Sequence, residues 1–155
     1  FSSGAMFLAV GMLAYRFRSR QIKDYGGLAT SMPLLASFFM LFAMSNVGLP
    51  GTSGFVGEFM IILSAMQASF WITTIAATTL ILSASYTLYM YKRVFFGEMT
   101  NPLIAESSDI HGFEKLVFIL LAVAIIFIGI YPAPLLTIMH ASIDSILHWS
   151  LQTKL

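Results

Sequence analysis

Gly48-Leu49-Pro50-Gly51-Thr52-Ser53-Gly54-Phe55-Val56-Gly57-Glu58-Phe59 is the stretch on which the reading of this chain turns. Gly48, Gly51, Gly54 and Gly57 recur at every third position with Pro50 among them, so helical propensity collapses there. Apolar, helix-forming sequence flanks it, 38–47 before and 59–66 after. Glu58 is the only charged residue between Asp24 and Lys92. In such an apolar span a carboxylate costs about 2.5–3.5 kcal/mol on insertion scales. Two readings compete: an acid kept neutral in a core, or a group on an ion path, where intramembrane ionisable side chains usually lie.

Composition narrows the class. The 155 residues are 58% hydrophobic and 10% charged, with a mean hydropathy of +0.86, whereas a soluble domain carries about 25% charged residues. The expectation is an integral membrane protein. A net charge of +1 gives no basic or acidic balance that would point to nucleic acid. Cysteine is absent, which excludes disulfides and cysteine-ligated iron–sulfur clusters in this chain. The sequence opens on Phe1 in apolar, mid-helix style and reads as a piece of a longer chain.

Outward from the glycine stretch, residues 33–67 are apolar apart from the stretch itself and Glu58. As one unbroken helix they would be about 50 Å long, against a hydrocarbon core of about 30 Å. Two full spans cannot fit, but one span with an unwound middle near 48–54 can. Exposed backbone at that depth survives only inside protein or beside a hydrated cavity. The flanking spans are expected at 1–15, 70–91 and 113–131. Arg16, Arg18, Arg20 and Lys23 form a short basic interfacial segment after the first, ended by a turn at Tyr25-Gly26-Gly27. Lys92-Arg93 closes the third span. A single broken span leaves both basic clusters on one side, as the positive-inside rule prefers for cytoplasmic loops.

Residues 97–112 form a hydrophilic loop in which Ser107, Ser108 or Asp109 is available to cap the next helix. Pro132 and Pro134 end the last span. Beyond them Leu135, Leu136, Met139, Ile143, Ile146, Leu147 and Leu151 recur at helical spacing, predicting an amphipathic helix over 135–151 on the membrane or on a partner. The fold expected is all-α: a polytopic membrane helix bundle with one discontinuous transmembrane helix and a C-terminal amphipathic helix, in one membrane domain.

Several motifs carry less. The glycines do not form a phosphate loop, since no Lys-Ser/Thr follows them; a bend freeing backbone groups at mid-membrane, as in transporters with discontinuous helices, fits better. His140, Asp144 and His148 lie at i, i+4 and i+8 but lack a convergent fourth ligand for zinc, so they read as a solvated face. No Ser, His and Asp arrangement suggests a triad. Arg20 and Lys23 read either as plain topology signals or as a cytoplasmic-side path that feeds or releases ions.

On the glycine stretch the chain closely resembles subunit M of bacterial NADH-quinone oxidoreductase (respiratory complex I). Ser3-Gly4-Ala5-Met6-Phe7, Asp24-Tyr25-Gly26-Gly27, Tyr86-Thr87-Leu88-Tyr89-Met90-Tyr91-Lys92-Arg93 and Phe96-Gly97 match as well. The resemblance covers essentially the whole chain and makes it the C-terminal part of that subunit: the end of its second antiporter-like repeat, a last span and a terminal helix.

The resemblance implies a proton-translocating membrane subunit in a machine that couples NADH-to-quinone electron transfer to proton pumping. The charged residue of the broken helix corresponds to Glu58. In the related subunits L and N, and in multisubunit sodium/proton antiporters, that place is typically lysine, so a glutamate favours subunit M. Arg20 matches a basic position after the preceding helix. The helix break corresponds to Gly48, Pro50, Gly51, Gly54 and Gly57. No cofactor is expected in this chain, because NADH, FMN, iron–sulfur clusters and quinone are handled by other subunits. Expected partners are the lipid bilayer and other membrane subunits of complex I, especially neighbouring antiporter-like ones. The expected location is the bacterial inner membrane, with basic loops cytoplasmic and the C-terminal tail periplasmic. The alternative is a subunit of a sodium/proton antiporter or membrane-bound hydrogenase of the same superfamily.

Overall fold

Pro33 opens the helix on which the others pack. A first helical position cannot use its amide, and proline has none to waste. This helix, α3, runs Pro33–Asn46. In the computed structural model, which describes residues 1–99, 101–139 and 143, the chain enters through α1 (Ser2–Phe17), a 3-10 turn (Ile22–Asp24) and the one-turn α2 (Leu28–Ser31). After α3 come α4 (Ser53–Ala68), α5 (Phe70–Phe95), the one-turn α6 (Pro102–Ala105) and α7 (Gly112–Ile130). The chain is helical again over 133–139. All regular structure among the described residues is helical.

α3 buries Leu35, Ala36, Phe39, Phe42 and Ala43. The α1 stripe Ala5, Ala9, Leu13 and Phe17, spaced one turn apart, packs against it. On another side Phe39 stacks near Tyr91 and Phe95, with ring centroids 6.3 and 5.0 Å away. The Tyr91 hydroxyl donates to the Ala36 carbonyl at 3.1 Å. On a third side Phe118 of α7 meets Phe38 and Phe42 at 6.0 and 5.8 Å. In lipid such ring contacts stabilise through close van der Waals packing rather than through removal from water.

α5 and α7 are each long and apolar enough to cross a membrane, whereas α3 and α4 are shorter apolar helices. The 26 residues of α5 span about 39 Å. Its last turns lie on α3 and its earlier turns on α4, so one long helix splints two short ones. Ile72, Ile75, Ile81 and Leu82 of α5 and Leu120, Val123 and Phe127 of α7 face outward. An apolar exterior of this extent suits lipid or further membrane protein rather than water.

The loop after α1 returns to the end of α5. Gly26 lies against the backbone of Gly97 and Glu98, close enough that a side chain would collide. The segments carrying Arg18, Arg20 and Lys23 and carrying Lys92-Arg93 therefore share one end of the bundle.

The structure departs from the sequence expectations in several places. α1 continues through Arg16 to Phe17 and stops where Arg18 turns left-handed (φ 51°), so Arg16 belongs to the helix rather than to a separate interfacial segment. α5 carries Lys92-Arg93 inside its last turn and ends at Phe95. The loop over 97–112 contains α6, capped by the Asn101 side chain, which accepts from the Leu103 amide at 3.0 Å. None of Ser107, Ser108 and Asp109 caps α7, whose first turn follows His111 without a side-chain cap. The Asp109 carboxylate bonds instead to the amides of Leu34 and Leu35, at the start of α3. The proposed amphipathic tail falls mostly outside the described residues, as do His140, Asp144 and His148.

Candidate functional site

The break between α3 and α4 covers 47–52, narrower than the glycine pattern suggests. Gly54 and Gly57 are helical, inside α4. The end of α3 is closed by a paired motif: the Leu49 amide donates to the Met44 carbonyl at 3.0 Å and the Gly48 amide to the Ser45 carbonyl at 3.3 Å. This pattern needs a left-handed residue just past the helix, and Gly48 supplies it with φ +86°. Pro50 follows, where a helix could not continue anyway. The Thr52 hydroxyl donates to the Leu49 carbonyl at 2.7 Å and pins the far side of the loop.

Glycine has a second use here. Gly54 rests on the Ser45 carbonyl, and Gly48 on the Glu58 carboxylate; a Cβ at either would overlap its neighbour. Both contacts advance in the same sense along the chain. The end of α3 thus lies beside the first turns of α4, and the two helices run in the same direction.

Glu58 occupies the second turn of α4. Its Oε2 is enclosed and has no hydrogen-bond partner among the described residues. The side chain borders two clefts. One, of about 360 Å³, is lined by Ser2, Ser45, Asn46, Ser53 and Gly54. The other, of about 500 Å³, lies between α4 and α5 and carries Thr79, Ser83 and Tyr86. Neither lining includes a lysine or arginine. A carboxyl bordering two clefts, each with hydroxyl side chains among apolar ones, can take a proton from one and give it to the other.

The remaining sequence candidates lie elsewhere. Arg20 lines a groove along α1 with Tyr15, Arg16 and Arg18, and Lys23 sits in the 3-10 turn. The structure does not bring either to Glu58. At that end Arg16 pairs with Glu114 and also donates to the Ser108 carbonyl at 2.7 Å. Nearby, the Tyr25 hydroxyl donates to the Ser19 carbonyl at 2.6 Å; burial, and then the Asp24 charge, push its pKa up. Sequence reasoning missed the serines around Glu58. Their signal was faint: Ser2-Ser3 and Ser45-Asn46 are polar pairs in otherwise apolar segments.

The profile of the family described as NADH:quinone oxidoreductase/Mrp antiporter, TM, matches residues 1–83. The chain belongs to this family. Subunit M of NADH-quinone oxidoreductase from Rhodobacter capsulatus is 46% identical over 133 residues, covering 86% of this chain and 26% of its own length. NADH-ubiquinone oxidoreductase chain 4 of Marchantia polymorpha is 41% identical over 144 residues, 93% of this chain and 29% of that one. This member of the antiporter family therefore spans under a third of the length of those relatives, and is homologous to subunit M and chain 4. Among solved structures, respiratory complex I from Thermus thermophilus with bound NADH aligns at a TM-score of 0.76 and 36% identity, over 84% of this chain and 27% of that one. The Mrp complex of a Dietzia species aligns at 0.69 and 24% identity, over 87% and 33%, and shares the fold. The antiporter-like membrane fold thus holds across both kinds of complex. Among the described residues no group of three His, Cys, Asp or Glu converges as a metal site.

Proposed function

We propose that this chain is the C-terminal part of a proton-translocating membrane subunit of an NADH-quinone oxidoreductase, with Glu58 as its proton carrier. The observation that carries the proposal is the Glu58 carboxyl, one oxygen enclosed and unpartnered among the described residues, beside a helix break and bordering two clefts that carry hydroxyl side chains among apolar ones. An intramembrane carboxyl on a broken helix is the arrangement expected on an ion path. α3 and α4 together form one discontinuous transmembrane helix, a reading supported by their parallel course and by α5 lying along both. Gly48, Pro50 and Gly51 form the break, and Gly54 lets α4 start close beside it.

The basic segments at one end of the bundle mark the cytoplasmic side, with Arg20 and Lys23 flanking a path to it. The tail past Pro132 then lies on the periplasmic side of a bacterial inner membrane, as an amphipathic helix bridging to a neighbouring antiporter-like subunit. Redox groups and quinone belong to other subunits. The complex I relatives favour this reading over a sodium/proton antiporter, because they are 46% and 41% identical to this chain whereas the Mrp complex is 24% identical.

Glu58→Gln in the full-length subunit keeps shape and hydrogen bonding but removes titration. In proteoliposomes the assembled variant is expected to lose most proton uptake driven by NADH oxidation. Normal uptake by an assembled Gln variant would make Glu58 structural and overturn the proposal.

A further inference from the structure

Ser2 of α1, Ser45 in the last turn of α3 and Ser53 at the start of α4 meet beside the break. The Ser2 and Ser45 hydroxyl oxygens are 2.5 Å apart, and the Ser2 and Ser53 oxygens 3.3 Å. Ser45 is 0% and Ser2 8% exposed. All three line the cleft that Glu58 borders, and one oxygen of that carboxylate has no partner among the described residues. Serines that hydrogen-bond across helices are ordinary at membrane helix crossings; what sets these three apart is that they also line a cleft that a carboxyl borders. At about 360 Å³ the cleft has room for several waters, each needing about 30 Å³ in the liquid.

We propose that the Ser2–Ser45–Ser53 hydroxyl cluster is the proton-passing station next to Glu58, joined to it by water in the cleft. The inference rests on the reading of Glu58 as a proton carrier. A serine hydroxyl both donates and accepts, so each can take a proton on a lone pair while releasing its own. At the end of one passage the Glu58 carboxylate has gained an O–H bond and a hydronium ion at the aqueous end has become water. No carbon bond changes and no redox partner is needed. Glu58 gives its proton up through the cleft between α4 and α5, and rotation of the hydroxyls resets the chain for the next passage. Ser2 and Arg16 are at opposite ends of α1, about 21 Å apart along the helix axis. The station therefore opens Glu58 toward the side away from the basic loops.

The test uses the full-length subunit in the assembled complex, in proteoliposomes, reading proton uptake in H₂O and in D₂O. Ser2→Ala and Ser45→Ala are each expected to slow uptake several-fold and to enlarge the solvent isotope effect. The Ser2→Ala/Ser45→Ala double should be no slower than the worse single, because stations in series do not add. Ser53→Ala should slow uptake likewise, and Ser53→Thr, which keeps a hydroxyl, should retain most of it. Glu58→Gln runs beside them. Wild-type uptake in the assembled alanine variants with Glu58→Gln blocked would overturn the hydroxyl station and leave Glu58 standing. Additive losses with an unchanged isotope effect would make the serines packing groups. Normal uptake in Glu58→Gln would sink the underlying reading itself.

Discussion

Asp109 caps a helix to which it does not belong: its carboxylate accepts from the Leu34 amide at 2.7 Å and from the Leu35 amide at 3.2 Å. The first amides of any helix lack internal partners, and an anion there also meets the positive end of the helix dipole. α3 has no side-chain cap of its own, since Met32 precedes it. The loop before α7 thus fixes where α3 begins, and Arg16 holds the same loop through the Ser108 carbonyl.

Removing that cap should show as stability. Asp109→Ala is expected to cost about 1 kcal/mol, and Asp109→Asn less, because its amide oxygen still accepts. The thermal midpoint of the purified complex reads both. Equal midpoints in wild type and Ala would mean the cap contributes nothing.

Gly48→Ala should be worse than Gly51→Ala. Both positions have positive φ, +86° and +87°, so both pay about 1 kcal/mol of backbone strain. Only at 48 does the added Cβ run into the Glu58 carboxylate; at 51 it meets open space. Proton uptake should therefore fall in Gly48→Ala and survive largely in Gly51→Ala. Equal losses would assign the effect to strain alone.

The Arg16–Glu114 pair is partly exposed, at 24% and 39%. Breaking it with Arg16→Ala should cost under about 1 kcal/mol in a double-mutant cycle. Exchanging the charges (Arg16→Glu with Glu114→Arg) should recover part of that loss. A full destabilisation in the exchange variant would mean that the Ser108 contact, not the pair, matters.

Phe39 is 2% exposed and touches both Tyr91 and Phe95. Phe39→Ala should cost about 3–5 kcal/mol, enough to lower the amount of assembled complex on a native gel. Undiminished assembly would mean α3 is not the packing centre.

The helices were legible because apolar runs of span length are hard to mistake, and the break because glycine and proline oppose helix locally. The exact ends were less so. Lys92-Arg93 looked like a stop, yet the helix runs through them, since long basic side chains reach outward from a helical backbone. Asp109, like Ser107 and Ser108, stands where it could cap the helix that follows; nothing local in the sequence says that its carboxylate turns to one 75 residues away. Glu58 stood out as a lone charge. The serines did not, because each is ordinary by itself and only the crossing of α1, α3 and α4 makes them a cluster.

The Asp109 cap also bears on how the chain comes off the ribosome. The partner of the Leu34 amide lies 75 residues later, and Gly26 likewise waits for Gly97 to dock. At about 5–20 residues per second of synthesis, the start of the central helix stays uncapped for roughly 4 to 15 s after it is made. During that interval α1 and α3 can pack on each other, but the start of α3 cannot lock. A ribosome stalled before residue 109 should leave an inserted intermediate whose α3 start is open to proteolysis, and release of the stall should close it.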